Sequence, residues 1–362
     1  MKNIRVYLQY PLRVSDSQYY RSMIDNPPKG VEFVGSKKTG MVVNTRKFRG
    51  FDNFKRGIKA FLNNIPLPIP NAHYTRKRDF DLIHCTHCLS LNRSPWVADI
   101  EFITQMWGGV KLTSARKRIV SKIISSKHCK KIMAWTEATK KNIVEMFPEI
   151  KEKVEVVYYA LPEMERRKKD AKDIVLFFSG RHFYAKGGLH ATEIMDRLTR
   201  KYPNVKGVIN GAIPEEIISK YSKNKKLTFH QLMPYKDVLK LYQKADIFVY
   251  PGYSDSFGFV YMEAMAFGVP IVTADGHSRR EIIKNGKQGF IVDIPKEMVD
   301  CWVINKYEDI LKDMISKIEL LIKDKRLRKK MGIAGLKEVK SGKFSLKRRN
   351  TRLKKIYEEA LR

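Results

Sequence analysis

The stretch PGYSDSFGFVYMEAMAFGVP, residues 251–270, follows an apolar run, IFVYP (247–251), and precedes another, VPIVTA (269–274). A strand is expected to end at Pro251, a polar turn to follow, and a helix to open near Gly258. At such a helix start the amides of Gly258, Phe259 and Val260 point outward, where the helix dipole favours an anion. Glu263 lies about one and a half turns further along, beside Ala264, Met265 and Ala266. A carboxylate in that apolar company is costly without a partner, and it is suited to accept two hydrogen bonds from vicinal ribose hydroxyls. Ser254 and Asp255 sit on the turn, where a carboxylate could meet hydroxyls of a sugar; the plain alternative is that Asp255 caps the helix.

Upstream, FFSGRHFYAKGG (177–188) has the matching form. A strand ends at Gly180, a loop carries Arg181 and Lys186, and glycines open the next helix. Arg offers a planar fork and Lys a mobile point charge, both suited to phosphate. Either stretch alone is weak evidence in so basic a chain. Together they describe a nucleotide-diphosphate site held between Gly180 and Glu263.

The strand–helix alternation extends in both directions. IVLFFSG (174–180), VKGVING (205–211), LTFHQL (227–232) and GFIVD (289–293) complete the second half, with helices over 188–201, 213–222, 235–244, 258–267 and 278–285. The first half shows IRVYLQY (4–10), VEFVG (31–35), DLIHC (81–85), WVADIEFI (96–103), KIMAWT (131–136) and VEVVYYA (154–160), with helices over 113–127 and 137–147. Thr113 or Ser114 would cap the first of these helices. Strands separated by helices predict parallel sheets covered on both faces. Four parts are expected: a first domain over 1–161, a charged linker over 162–173, a second domain over 174–344, and a helix over 345–362 carrying Leu346, Leu353, Ile356, Tyr357 and Leu361 on one stripe. The fold class is α/β, two doubly wound domains facing a central cleft, with ligands at the carboxyl ends of the strands.

The spacing resembles that of the retaining glycosyltransferases called family 4, which have the GT-B fold of two Rossmann-like domains. Their signature runs E-G-F-G-x-x-x-x-E-A-M-A-x-G-x-P, and this chain matches it at Phe257, Gly258, Glu263, Ala264, Met265, Ala266, Gly268 and Pro270. It departs at Asp255, where the family has Glu, and at Ser256, where it has Gly. The likeness extends over Gly180, Arg181, Lys186, Gly187, ADIFVYP (245–251), Glu281, Ile282, Ile283, Gly286 and Gly289. It implies a transferase moving a sugar, with retention of configuration, from a nucleotide-diphosphate-sugar to an acceptor. Arg181 and Lys186 would neutralise the diphosphate, Glu263 would hold the ribose, and Asp255 with the amides after Gly258 would engage sugar and phosphate. In the first domain Glu101 stands where many members have His near the donor sugar, so it is a candidate for orienting that sugar; a carboxylate ending the strand is the equal alternative. The resemblance also implies that the helix over 345–362 crosses back onto the first domain.

No cofactor or metal is expected. Asp79, Phe80 and Asp81 form a D-x-D, but it immediately precedes a strand, with Asp79 read as exposed and Asp81 as the strand's first residue. Cys85 and Cys88 beside His84 and His87 lack the second ligand cluster of a structural zinc site. The departing diphosphate would instead be stabilised by cations and the helix dipole.

Hydrophobic residues make up 43% of the 362 residues and aromatics 11%, too apolar for disorder. No apolar run approaches the roughly 18 residues that span a bilayer, so a cytoplasmic location, with peripheral attachment to the cytosolic face of a membrane as an extension, is expected. The 71 Lys and Arg against 38 Asp and Glu give +33, which implies an anionic partner or, more plainly, a lysine-rich genome or a thermophile surface. Two basic stretches stand out: 113–131, read as a core helix with Arg116, Lys117, Lys122 and Lys127 on its solvated face, and 45–62, where Phe48, Phe51, Phe54 and Phe61 alternate with basic residues, as suits either an anionic membrane surface or a basic core helix. A lipid-linked or polysaccharide acceptor at a membrane surface fits them. The rival readings are a nucleic-acid-binding protein on a transferase-like fold, for which no motif is present, and a related epimerase or phosphorylase.

Overall fold

A computed structural model of the chain describes residues 3–9, 18–34, 69–76, 79–162, 164, 172–253, 257–295 and 308–362. The basic stretch 45–62, the turn residues Ser254 and Asp255, and most of 162–173 lie outside the described residues. The chain divides into two compact units, one of 1–160 with 346–362 and the other of 161–345.

Unit 1 is built on a six-stranded parallel sheet in the order β2-β1-β4-β6-β7-β8. The strands are β1 (Ile4–Gln9), β2 (Val31–Val34), β4 (Leu82–Thr86), β6 (Trp96–Ile100), β7 (Cys129–Ala134) and β8 (Val154–Val156). Two short strands, β3 (Ala72–His73) and β5 (Leu89–Ser90), pair separately. Every residue of β4 and β6 is buried, because helices cover both faces of a parallel sheet. That cover includes α1 (Gln18–Asp25), α2 (Ser114–Ser125), α3 (Glu137–Met146) and the C-terminal α11 (Leu346–Ala360), which packs on β6 and β7. Thr113 caps α2, accepting from the Arg116 amide at 3.2 Å.

Three expectations are corrected here. Strand β6 stops at Ile100 rather than 103, since the Gln105 side-chain oxygen takes the amides of Glu101 (2.8 Å) and Phe102 (3.2 Å) and turns the chain into a 3-10 helix over Ile103–Trp107. Arg116 is not solvated: it shares the inward stripe of α2 with Val120 and Ile124, and its guanidinium donates to the Lys111 carbonyl. Leu361 is exposed, and the buried face of α11 is Arg349, Leu353, Ile356, Tyr357 and Ala360.

Unit 2 holds a second six-stranded parallel sheet in the order β11-β10-β9-β12-β13-β14. Its strands are β9 (Ile174–Gly180), β10 (Val205–Gly211), β11 (Leu227–His230), β12 (Ile247–Val249), β13 (Ile271–Ala274) and β14 (Gly289–Val292). The helices are α4 (Gly188–Lys201), α5 (Glu215–Tyr221), α6 (Tyr235–Lys244), α7 (Phe259–Ala266), α8 (Arg279–Ile282), α9 (Glu308–Lys323) and α10 (Lys325–Lys340). The order reverses between β9 and β12, and such a switch point opens a crevice at the carboxyl ends of the strands. Among the described residues no helix is long and apolar enough to cross a membrane.

Candidate active site

In unit 2 the two cation-bearing and helix-opening loops leave neighbouring strands on either side of that switch point. Gly180 ends β9 in a crowded place: a Cβ there would sit 2.9 Å from the Lys186 Cβ and from the Phe178 ring. Arg181 is exposed and Lys186 half-buried on the following turn. Gly187 has φ +74°, and a Cβ on it would lie 2.5 Å from the Pro251 Cβ. The Lys186 carbonyl also accepts from the Gly252 amide at 3.1 Å. The loop of Arg181 and Lys186 is thus fastened directly to the turn that leads to α7.

A second fastening joins the same two segments. His190, in the first turn of α4, has its Nδ1 2.7 Å from the Tyr253 hydroxyl. Both side chains are buried, which pushes the imidazole down to about 4 and raises the phenol. The bond therefore joins a neutral imidazole to a protonated phenol.

Helix α7 opens at Gly258, whose φ of +73° and close approach to the Tyr261 ring leave no room for a side chain. The first bond of the helix end runs from the Tyr261 amide to the Gly258 carbonyl, and the amides of Gly258, Phe259 and Val260 precede it. Tyr261 also underlies Gly252, and its hydroxyl accepts from Arg279 Nε at 2.9 Å and meets Thr273 Oγ1 at 2.9 Å. Both glycines of the turn therefore rest on one buried tyrosine.

Glu263 follows on α7 and is 5% exposed. Burial raises its carboxyl from the ordinary 4.5 to about 7, opposed by hydrogen bonds from Tyr242 and Tyr235 on α6. The alternative of a solvated helix residue does not hold. Gly180, Arg181, Lys186, Gly258, Phe259, Val260 and Glu263 are gathered at one end of the unit 2 sheet, while Ser254 and Asp255 fall outside the described residues.

Glu101 belongs to unit 1, half-buried just past β6, with its carbonyl accepting from Thr139 Oγ1 at 2.7 Å. Two residues earlier Asp99 is fully buried and accepts from the Tyr20 hydroxyl (2.5 Å) and from His84 Nε2 (2.8 Å). The other nitrogen of His84 lies 2.7 Å from the Tyr357 hydroxyl of α11. His84 is thereby engaged on both sides. Cys88 and Cys85 point their thiols at the Gln9 carbonyl (3.5 Å) and side-chain oxygen (3.8 Å). Asp79 and Asp81 both hold Arg5, the first by a salt bridge and the second by its amide at 2.8 Å.

Residues 162–338 match the model of the family described as glycosyl transferases group 1. The matched stretch covers nearly all of unit 2. An uncharacterized glycosyltransferase of Methanocaldococcus jannaschii is 26% identical over 244 residues, which span 59% of this chain and 62% of that relative. A glycosyltransferase crystal structure from Rickettsia africae superposes with a TM-score of 0.69 at 15% identity, covering 100% of this chain and 99% of the other. Anabaena Alr3699/HepE, solved with UDP and glucose, gives 0.62 at 12% identity over 98% and 99% of the two chains. At these identities the likeness shows the fold, which is GT-B.

Several residues of the two units were not visible in the sequence. Tyr235, Tyr242, Tyr261 and Arg279 carry no motif, although an aromatic at 242 is consistent with the apolar spacing of α6. The Asp99–His84–Tyr357 chain joins residues 15 and 273 positions apart, and no local pattern marks it. His87 gave one signal, its place beside the C-x-x-C, but the feature that distinguishes it is a backbone φ of +56°.

Proposed function

We propose that the chain transfers a sugar from a nucleoside-diphosphate sugar held on unit 2 to an acceptor held on unit 1, with retention at the anomeric carbon as in family 4. The observation that carries the reading is Glu263. A carboxyl buried on the helix that follows the turn fastened to the Arg181–Lys186 loop has a use if it binds ribose hydroxyls, and among the described residues no cation is paired with it. Arg181, Lys186 and the amides at the start of α7 supply the charge for a diphosphate. The complex of HepE with UDP and glucose supports this donor class. Asp255 completes the site as a sugar contact, one methylene shorter than the family's Glu, and Glu101 orients the sugar from unit 1.

The reaction needs no metal in this reading, because cations and helix dipole meet the charge of the leaving group and Asp79 and Asp81 are committed to Arg5. Net charge and the exposed Lys117, Arg118 and Lys122 of α2 support an acceptor at an anionic membrane surface. A thermal-shift screen of nucleoside diphosphates and sugar nucleotides tests the donor claim: a stabilised unit 2 is expected. No shift with any of them at millimolar concentration would overturn it.

A further inference from the structure

At the carboxyl end of unit 1's sheet, one side chain combines strain, a charged partner and access to solvent. His87 directly follows β4, at the point between β1 and β4 where the strand order reverses. Its φ is +56°, a left-handed conformation that is strained for a non-glycine residue. The strain is held in place by its amide, which donates to the Asp99 carbonyl (3.2 Å) and to Asp99 Oδ1 (3.3 Å). The ring lies between Trp135, at a centroid distance of 4.8 Å, and Tyr20, at 5.4 Å.

Within that slot the two ring nitrogens have different surroundings. Nε2 is buried and faces Asp99 Oδ1 at 3.8 Å, beyond hydrogen-bond length but aimed at a carboxylate. A fifth of the side chain remains exposed, and Nε2, unlike Nδ1, is a buried atom without a hydrogen-bond partner. A proton on Nε2, where the carboxylate favours it, leaves Nδ1 as the hydrogen-bond acceptor of the ring. A modest closure of the 3.8 Å gap would complete the pair, as often happens when a ligand docks. Asp99 is kept in position by Tyr20 and His84, and His84 by Tyr357, so the carboxylate cannot turn away.

We propose that His87 is the acceptor-binding residue of unit 1, accepting a hydrogen bond at Nδ1 from a hydroxyl of a neutral sugar; as that oxygen bonds to the anomeric carbon and the bond from this carbon to the diphosphate breaks, the hydroxyl proton passes to Nδ1 and the nucleoside diphosphate departs. Asp99 is the positioning residue behind it. The class of ligand follows from the charges at this edge: Glu101 and Glu137 follow β6 and β7 there, which suits a polyhydroxylated ligand better than an anion. The inference rests on the transferase reading above and assigns the acceptor side of it.

The test uses the full-length chain, the sugar nucleotide that gives the largest thermal shift, and release of nucleoside diphosphate with water or alkyl glycosides as acceptors. His87→Asn tolerates the left-handed backbone and His87→Gly relieves it, and a urea titration of each checks that it is folded. Each is expected to lose 100-fold or more in release rate while donor affinity stays within twofold, and added imidazole is expected to restore part of the activity of His87→Gly. Release within threefold of the wild type in either variant, or loss that imidazole does not rescue, overturns the inference alone. A wild type that binds no sugar nucleotide overturns the transferase reading and this inference with it.

Discussion

Replacing Glu263 by Gln separates the two consequences of burying its carboxyl. The acid is raised from 4.5 to about 7 by desolvation, so the folded state holds a proton that the unfolded chain releases. Stability from this group is fully present below pH 4.5 and is lost as pH rises through 7. With about 1.4 kcal/mol per pH unit, the whole loss is about 3 kcal/mol, of which some 2–3 kcal/mol falls between pH 5 and pH 8.5. Gln has the same shape and cannot ionise, so Glu263→Gln should gain on the wild type by that amount over this interval, or roughly 5–10 °C in Tm for a domain of this size. Urea titrations of both proteins at the two pH values, followed by circular dichroism, measure it. The same variant should bind nucleoside diphosphates at least tenfold more weakly at pH 8, since a carboxylate accepting two ribose hydroxyls becomes an amide. A stability difference that does not change with pH, or that favours the wild type more at pH 8.5 than at pH 5, would refute the reasoning.

Other substitutions probe the remaining parts. Arg181→Ala, at an exposed position, should leave the urea midpoint within about 0.5 kcal/mol of wild type while weakening nucleoside-diphosphate binding about tenfold by calorimetry. Gly187→Ala places a Cβ 2.5 Å from Pro251 at φ +74° and should cost about 2 kcal/mol or more in unit 2, together with donor affinity. Arg349→Met removes donors to the Ser22 hydroxyl (3.1 Å) and the Asn26 carbonyl (2.8 Å); it should destabilise unit 1 by about 2–3 kcal/mol and leave nucleotide affinity on unit 2 unchanged.

The strands of both units were legible because a parallel sheet covered on both faces demands continuous apolar runs, as in DLIHC and IVLFFSG. The loops after β9 and β12 were legible because glycines mark places where a side chain cannot fit: Gly187 against Pro251, and Gly258 against Tyr261. Burial of Glu263 could be read from Ala264, Met265 and Ala266. What covers it could not, since Tyr242 and Tyr235 come from a helix more than twenty residues earlier. Arg116 was misplaced for a related reason. Its charge argued for solvent, but the stripe Arg116, Val120, Ile124 decides the matter, and the Lys111 carbonyl that accepts from it is supplied by a loop. Arg349 and Tyr357 looked like one more basic residue and one more apolar residue of a C-terminal helix. Their roles depend on α1 and β4, which a local pattern does not reveal. His87 shows the limit most clearly, because a left-handed backbone at a histidine has no sequence signature.

The most direct test of the account is a calorimetric titration of the wild type and Lys186→Ala with a nucleoside diphosphate and with its parent nucleoside. The account predicts that the wild type binds the diphosphate at least tenfold more tightly than the nucleoside, and that Lys186→Ala loses most of that preference while remaining folded. Equal affinity of the wild type for both ligands, or an unchanged preference in Lys186→Ala, would contradict it.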